Sequence, residues 1–69
     1  MTNIEKNIRI KELTSEANNL RRGIDRIRAE RARLDGKVNP HFIEGLDIAI
    51  DQAEDRYIAV VNQINALRA

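Results

Sequence analysis

Apolar residues recur along the chain at alternating intervals of three and four. The first half carries Ile10, Leu13, Ala17, Leu20, Ile24, Ile27 and Leu34, with Arg31 in the one missed slot. The second half carries Ile43, Leu46, Ile50, Ala53, Tyr57, Val60, Ile64 and Leu67 without a miss. That spacing holds one side of an α-helix apolar and is a heptad seam. Between the two runs lies Leu34-Asp35-Gly36-Lys37-Val38-Asn39-Pro40, which contains the only proline of the chain. The pattern predicts an all-α fold, an antiparallel two-helix hairpin, with helices at about 3–34 and 40–68, a turn at 35–39, and one domain over residues 1–69.

Start and stop signals agree with those bounds. Thr2 and Glu5 are spaced as a capping box, in which Thr2 accepts from the Glu5 backbone N–H and Glu5 reaches back to the Thr2 N–H. Gly36 suits the left-handed turn that ends a helix. Asn39 is a favoured N-cap, and Pro40 sits at the first helical position, where its missing N–H costs nothing. Val38 and Ile43 stand at the two places of a hydrophobic staple.

Folding the chain at Lys37 pairs positions whose numbers add to about 74. Leu13 then faces Val60, Ala17 faces Tyr57, Leu20 faces Ala53 and Ile24 faces Ile50. Small side chains oppose large ones, as close packing requires. Gly23 lies inside the first helix and is read either as a mark of close helix approach or as neutral drift. More apolar residues flank the seam: Phe42, Ala49 and Val61 on the second helix, Ile4 and Ile8 on the first. A single partner helix cannot cover so wide a stripe, and a hairpin core is one-sided. The expectation is a homodimer, most simply a two-fold four-helix bundle, whose core and dimer contacts draw on the seam together with Phe42 and Val61.

Composition narrows the function. Charged residues make up 33% of the chain, but twelve basic and eleven acidic side chains leave a net charge of +1. That is not the profile of a general nucleic-acid binder. The chain has no cysteine, so disulfides and thiolate chemistry are excluded. Its longest unbroken apolar run is Ile58 to Val61, and no signal peptide is apparent, so a cytoplasmic protein without membrane attachment is expected.

The charges are unevenly placed. Arg21, Arg22, Arg26, Arg28, Arg31 and Arg33 crowd the end of the first helix, and Glu44, Asp47, Asp51, Glu54 and Asp55 crowd the start of the second. Both clusters suit the helix dipoles, and the hairpin sets them side by side for ion pairing. Arg31 is expected to reach toward Glu44 or Asp47. Two outward stripes remain. Glu44, Ile48, Asp51 and Asp55 share one face of the second helix, an apolar anchor in an acidic rim that suits a basic protein surface. Arg22, Arg26 and Arg33, with Ala29 between them, form the alternative binding face.

Catalytic constellations are missing. His41 is the only histidine and is expected to be exposed; Ser15 lies on a polar helix surface. Glu54 and Asp55 are sequence neighbours that point about 100° apart on a helix. Gly23, Gly36 and Gly45 are too dispersed for a phosphate loop. No enzyme activity, cofactor or metal is expected.

Two resemblances bear on function. The opening Thr2, Glu5 and Lys6 looks like the start of Rop-like helical-hairpin dimers, which grip paired RNA loops through polar residues of the first helix. Near-neutral charge and the expected lack of an exposed aromatic for stacking argue against RNA. The capped start Thr2-Asn3-Ile4-Glu5, the turn Asp35-Gly36-Lys37-Val38-Asn39-Pro40 and the heptad helix through Leu67 together resemble the quorum-sensing anti-activator proteins of Pseudomonas phages, short two-helix dimers. That resemblance implies a host-takeover protein that binds a LuxR-type transcription activator at its DNA-binding region. It further implies a second target, the type IV pilus assembly ATPase. It fixes no contact residues. A structural coiled-coil module is the third reading.

Overall fold

A computed structural model describes all 69 residues. The chain is all-helical: α1 (Asn3–Leu34) and α2 (Pro40–Arg68) pack against each other as a hairpin extending 52 × 14 × 12 Å along its principal axes. Both helices keep the bounds that the seam and caps predict.

The ends show how local chemistry sets these limits. At the start of α1 the Thr2 hydroxyl accepts from the Glu5 backbone N–H at 3.1 Å. The reverse half of the capping box differs from expectation. The Glu5 carboxylate accepts from the Thr2 hydroxyl at 3.1 Å instead of from the Thr2 backbone N–H. One carboxylate oxygen is thereby occupied within the cap itself. At the other end, Asp35 has φ −56° and ψ 127°, and Gly36 has φ 76°. The Lys37 N–H donates to the Leu34 carbonyl at 2.9 Å. These values describe a type II turn, which requires a left-handed residue at its third place. Asn39 Oδ1 then accepts from the His41 N–H at 2.9 Å and opens α2 directly before Pro40.

The core lies in the open half of the hairpin. Leu13, Ala17, Val60 and Ile64 are buried together, with Ile10, Leu20, Tyr57 and Leu67 packed against them. Ile24 and Ile50 are buried nearer the turn. Ile27, Leu46 and Val61 are half-buried. The cluster matches the register in which opposed positions add to about 74. Only six residues are buried, all of them on the predicted seam, and of these Leu13 and Val60 are fully so.

Two flanking residues lie elsewhere than expected. Ile4 is 74% exposed and Ile8 54% exposed, so neither borders the seam. Ile8 precedes Ile10 by two residues and therefore points about 200° away from it. Phe42 does flank the seam beside Ile43, but it is 53% exposed and lies beyond the cover of α1. It is thus an exposed aromatic, contrary to the expectation that the surface has none. Of the two readings of Gly23, close approach within the hairpin is removed, because a Cβ there would meet nothing within 4 Å. The partner helix does not require the glycine.

Leu13→Ala removes a side chain from the densest part of the core and is expected to cost about 2–5 kcal/mol. Ile8→Ala, on the exposed side, should change stability by less than about 0.5 kcal/mol. Urea denaturation followed by circular dichroism measures both.

Candidate functional site

The carboxylates of α2 divide into those turned toward α1 and those turned away. Asp47 accepts from Arg31 Nε at 2.5 Å and from a terminal nitrogen at 3.3 Å. Glu54 accepts from Arg28 at 2.5 Å. Of the two partners expected for Arg31, Asp47 takes the guanidinium. Its hydrogen bond, followed by its charge, pushes the Arg31 pKa up from its ordinary value. Arg56 meets Glu16 at 2.6 Å on the other side of the hairpin.

Asp51 and Asp55 have no such partner: neither joins any of the ion pairs of the fold. They stand one turn apart on the same exposed face, a mildly unfavourable arrangement for like charges. Glu44 meets only His41, at 3.5 Å, on a side chain that is itself almost fully exposed. Ile48 lies on this face and is 54% exposed. The face also holds a residue that the predicted stripe lacks. Ile58 is 55% exposed and follows Asp55 by three. Ile48, Asp51, Asp55 and Ile58 therefore repeat the three-four-three spacing of a seam on the side turned from α1. The signal was present in the sequence as a second heptad series offset from the first.

The arginine alternative is weaker than its sequence suggested. Arg22 and Arg26 are exposed and unpaired, but Arg33 is bound to Glu30 one turn back. That hydrogen bond holds the Glu30 carboxyl below its ordinary value and pushes Arg33 up. The cationic face is thereby shortened to two free guanidiniums.

Two shallow depressions mark opposite sides of the hairpin. One, of about 240 Å³, is lined by Arg21, Ile24, Asp25, Arg28, Glu54 and Tyr57. The other, of about 280 Å³, is lined mainly by apolar side chains at the open end. Nowhere do three or more His, Cys, Asp or Glu converge as a metal site. His41 and Ser15 are both exposed and lie on different helices. No helix is long and apolar enough to cross a membrane. No protein-family model, curated protein or solved structure matches the chain.

Arg31 occupies a seam slot, so Arg31→Leu should raise the melting temperature by several degrees while removing the Asp47 pair; thermal denaturation checks the direction. The Glu30–Arg33 pair gives a pH signature. Because the folded carboxyl titrates below its unfolded value, its stabilisation is complete above the unfolded range near 4.5 and fades as pH falls through the folded value. The melting-temperature difference between wild type and Glu30→Gln, small because the pair is exposed, should therefore be present at neutral pH and vanish in strong acid.

Proposed function

We propose that the chain is a non-enzymatic inhibitor that binds a basic protein surface through Ile48, Asp51, Asp55 and Ile58, with Glu44 at the margin. One observation carries this reading. Asp47 and Glu54 are neutralised within the hairpin, whereas Asp51 and Asp55 remain unpaired between two exposed isoleucines. An apolar anchor gives affinity when it is desolvated, and unpaired carboxylates select a cationic partner. The recognition helix of a DNA-binding domain offers such a partner, since its basic side chains normally meet phosphates. The resemblance to phage anti-activators supplies the class: a LuxR-type activator held off its promoters by stoichiometric blockade in the host cytoplasm. The pilus assembly ATPase is the second target of the same proposal.

An RNA-binding reading is supported by free Arg22 and Arg26 and by exposed Phe42. It predicts nuclease-sensitive capture from a host lysate, whereas the leading reading predicts nuclease-resistant capture of a regulator. For the leading reading, Ile48→Asp combined with Asp51→Lys should abolish binding to the isolated DNA-binding domain in titration calorimetry while helicity is retained. Glu54→Gln, which alters a carboxylate already paired to Arg28, should leave the affinity within a few-fold. Unchanged affinity of the double variant would place the contact elsewhere.

A further inference from the structure

The acidic stripe of α2 is too narrow to be a whole contact. A stable protein interface draws on about 20–30 residues a side, whereas Glu44, Ile48, Asp51, Asp55 and Ile58 form a single row of side chains. A partner seated there must also cover a flank of the hairpin. Asp51 and Ile58 decide which flank that is. They stand one turn before and one turn after Glu54, and Glu54 lines the depression of about 240 Å³ that α2 shares with α1. The stripe therefore runs directly into this depression. The 280 Å³ groove lies past the end of the stripe, toward Gln63 and Leu67.

The depression combines an apolar part with walls whose charges cancel. Ile24, only 5% exposed, and half-buried Tyr57 supply the apolar part. Arg28 is neutralised by Glu54. Arg21 and Asp25 join none of the ion pairs of the fold, but they carry opposite charges one turn apart on α1. The lining thus has no net charge. A charged side chain entering here meets attraction and repulsion together and gives up its hydration. An uncharged one keeps the full gain from covering Ile24 and Tyr57.

Size points the same way. About 240 Å³ falls below the roughly 300–1,000 Å³ of small-molecule sites and leaves room for one large side chain. Interface affinity concentrates where such an anchor fills a desolvated pocket ringed by polar groups.

On the acidic-stripe reading, on which this rests, we propose that the depression receives one large uncharged side chain, aromatic or branched aliphatic, from the same partner whose cations meet Asp51 and Asp55. An aromatic anchor packs against the Tyr57 ring. The contact then spans both helices, with its charged half on α2 and its apolar half over Ile24. The target is thereby specified further: a basic surface that carries a protruding apolar residue beside its cations.

Titration calorimetry with the isolated DNA-binding domain tests this. Asp25→Trp places bulk in the depression from an exposed position and should lower affinity by at least about tenfold, with helicity and melting temperature little changed. Arg21→Gln and Asp25→Asn each remove a charge but leave the depression open, and should keep the affinity within about threefold. Amide resonances of Ile24, Asp25 and Tyr57 should shift on addition of the domain, and those of Glu16 and Arg56 on the other flank should not. Wild-type affinity in Asp25→Trp overturns the proposal; the stripe reading survives that result if Ile48→Asp combined with Asp51→Lys still abolishes binding. A large loss in Asp25→Asn together with a gain in Arg21→Gln also overturns it, because a cationic side chain would then occupy the depression. Absence of binding by the wild type removes the stripe reading and this proposal together.

Discussion

The hairpin depends on the interlocking of two heptad seams across a connection only five residues long. Neither helix can hide its apolar stripe alone, and the turn leaves α2 no orientation except back along α1. Leu13, Ala17, Val60 and Ile64 then meet at the open half, where the most deeply buried side chains lie. Near the turn the seam is less complete, because Arg31 replaces an apolar residue and draws Asp47 toward it. Apolar burial is thus densest in the open half, while two of the three interhelical ion pairs lie toward the turn.

That division organises the surface. Interhelical pairing consumes Arg28, Arg31, Asp47 and Glu54, so these charges have little left for a partner. Exposed ion pairs of this kind contribute little net stability. Their larger consequence is to define, by subtraction, which charges remain. Asp51 and Asp55 remain on one outer face, and Arg22 and Arg26 on another. The flank crossed by Arg56 and Glu16 is left nearly neutral. Three surfaces of different character therefore arise from one small fold, and a protein binding through one of them need not disturb the others.

Much of this was legible in the residues themselves. The seam spacing, the Asn39–Pro40 start and the Gly36 turn specify both helices and their bounds, because each depends on interactions within a few residues. The outward position of Ile48 was also legible, being a matter of angle on one helix. Ile58 was missed because it lies within an apolar run beside Val60, although its heptad offset from Ile48 was present. Ile4 and Ile8 were misplaced by neighbourhood in sequence; their angle from Ile10 puts them on the far side.

Local chemistry alone thus determined the helices, the turn and the antiparallel register, since hydrogen-bonded turns and periodic burial are written into short stretches of chain. Only the tertiary structure decided which charges are spent. Whether Arg33 turns to Glu30, or Arg31 to Asp47 instead of Glu44, depends on side-chain reach between groups that several partners could satisfy equally well in sequence. The same holds for Phe42 and Gly23. The exposure of Phe42 and the open space beside Gly23 follow from how far the partner helix extends around the seam, a property of two packed helices.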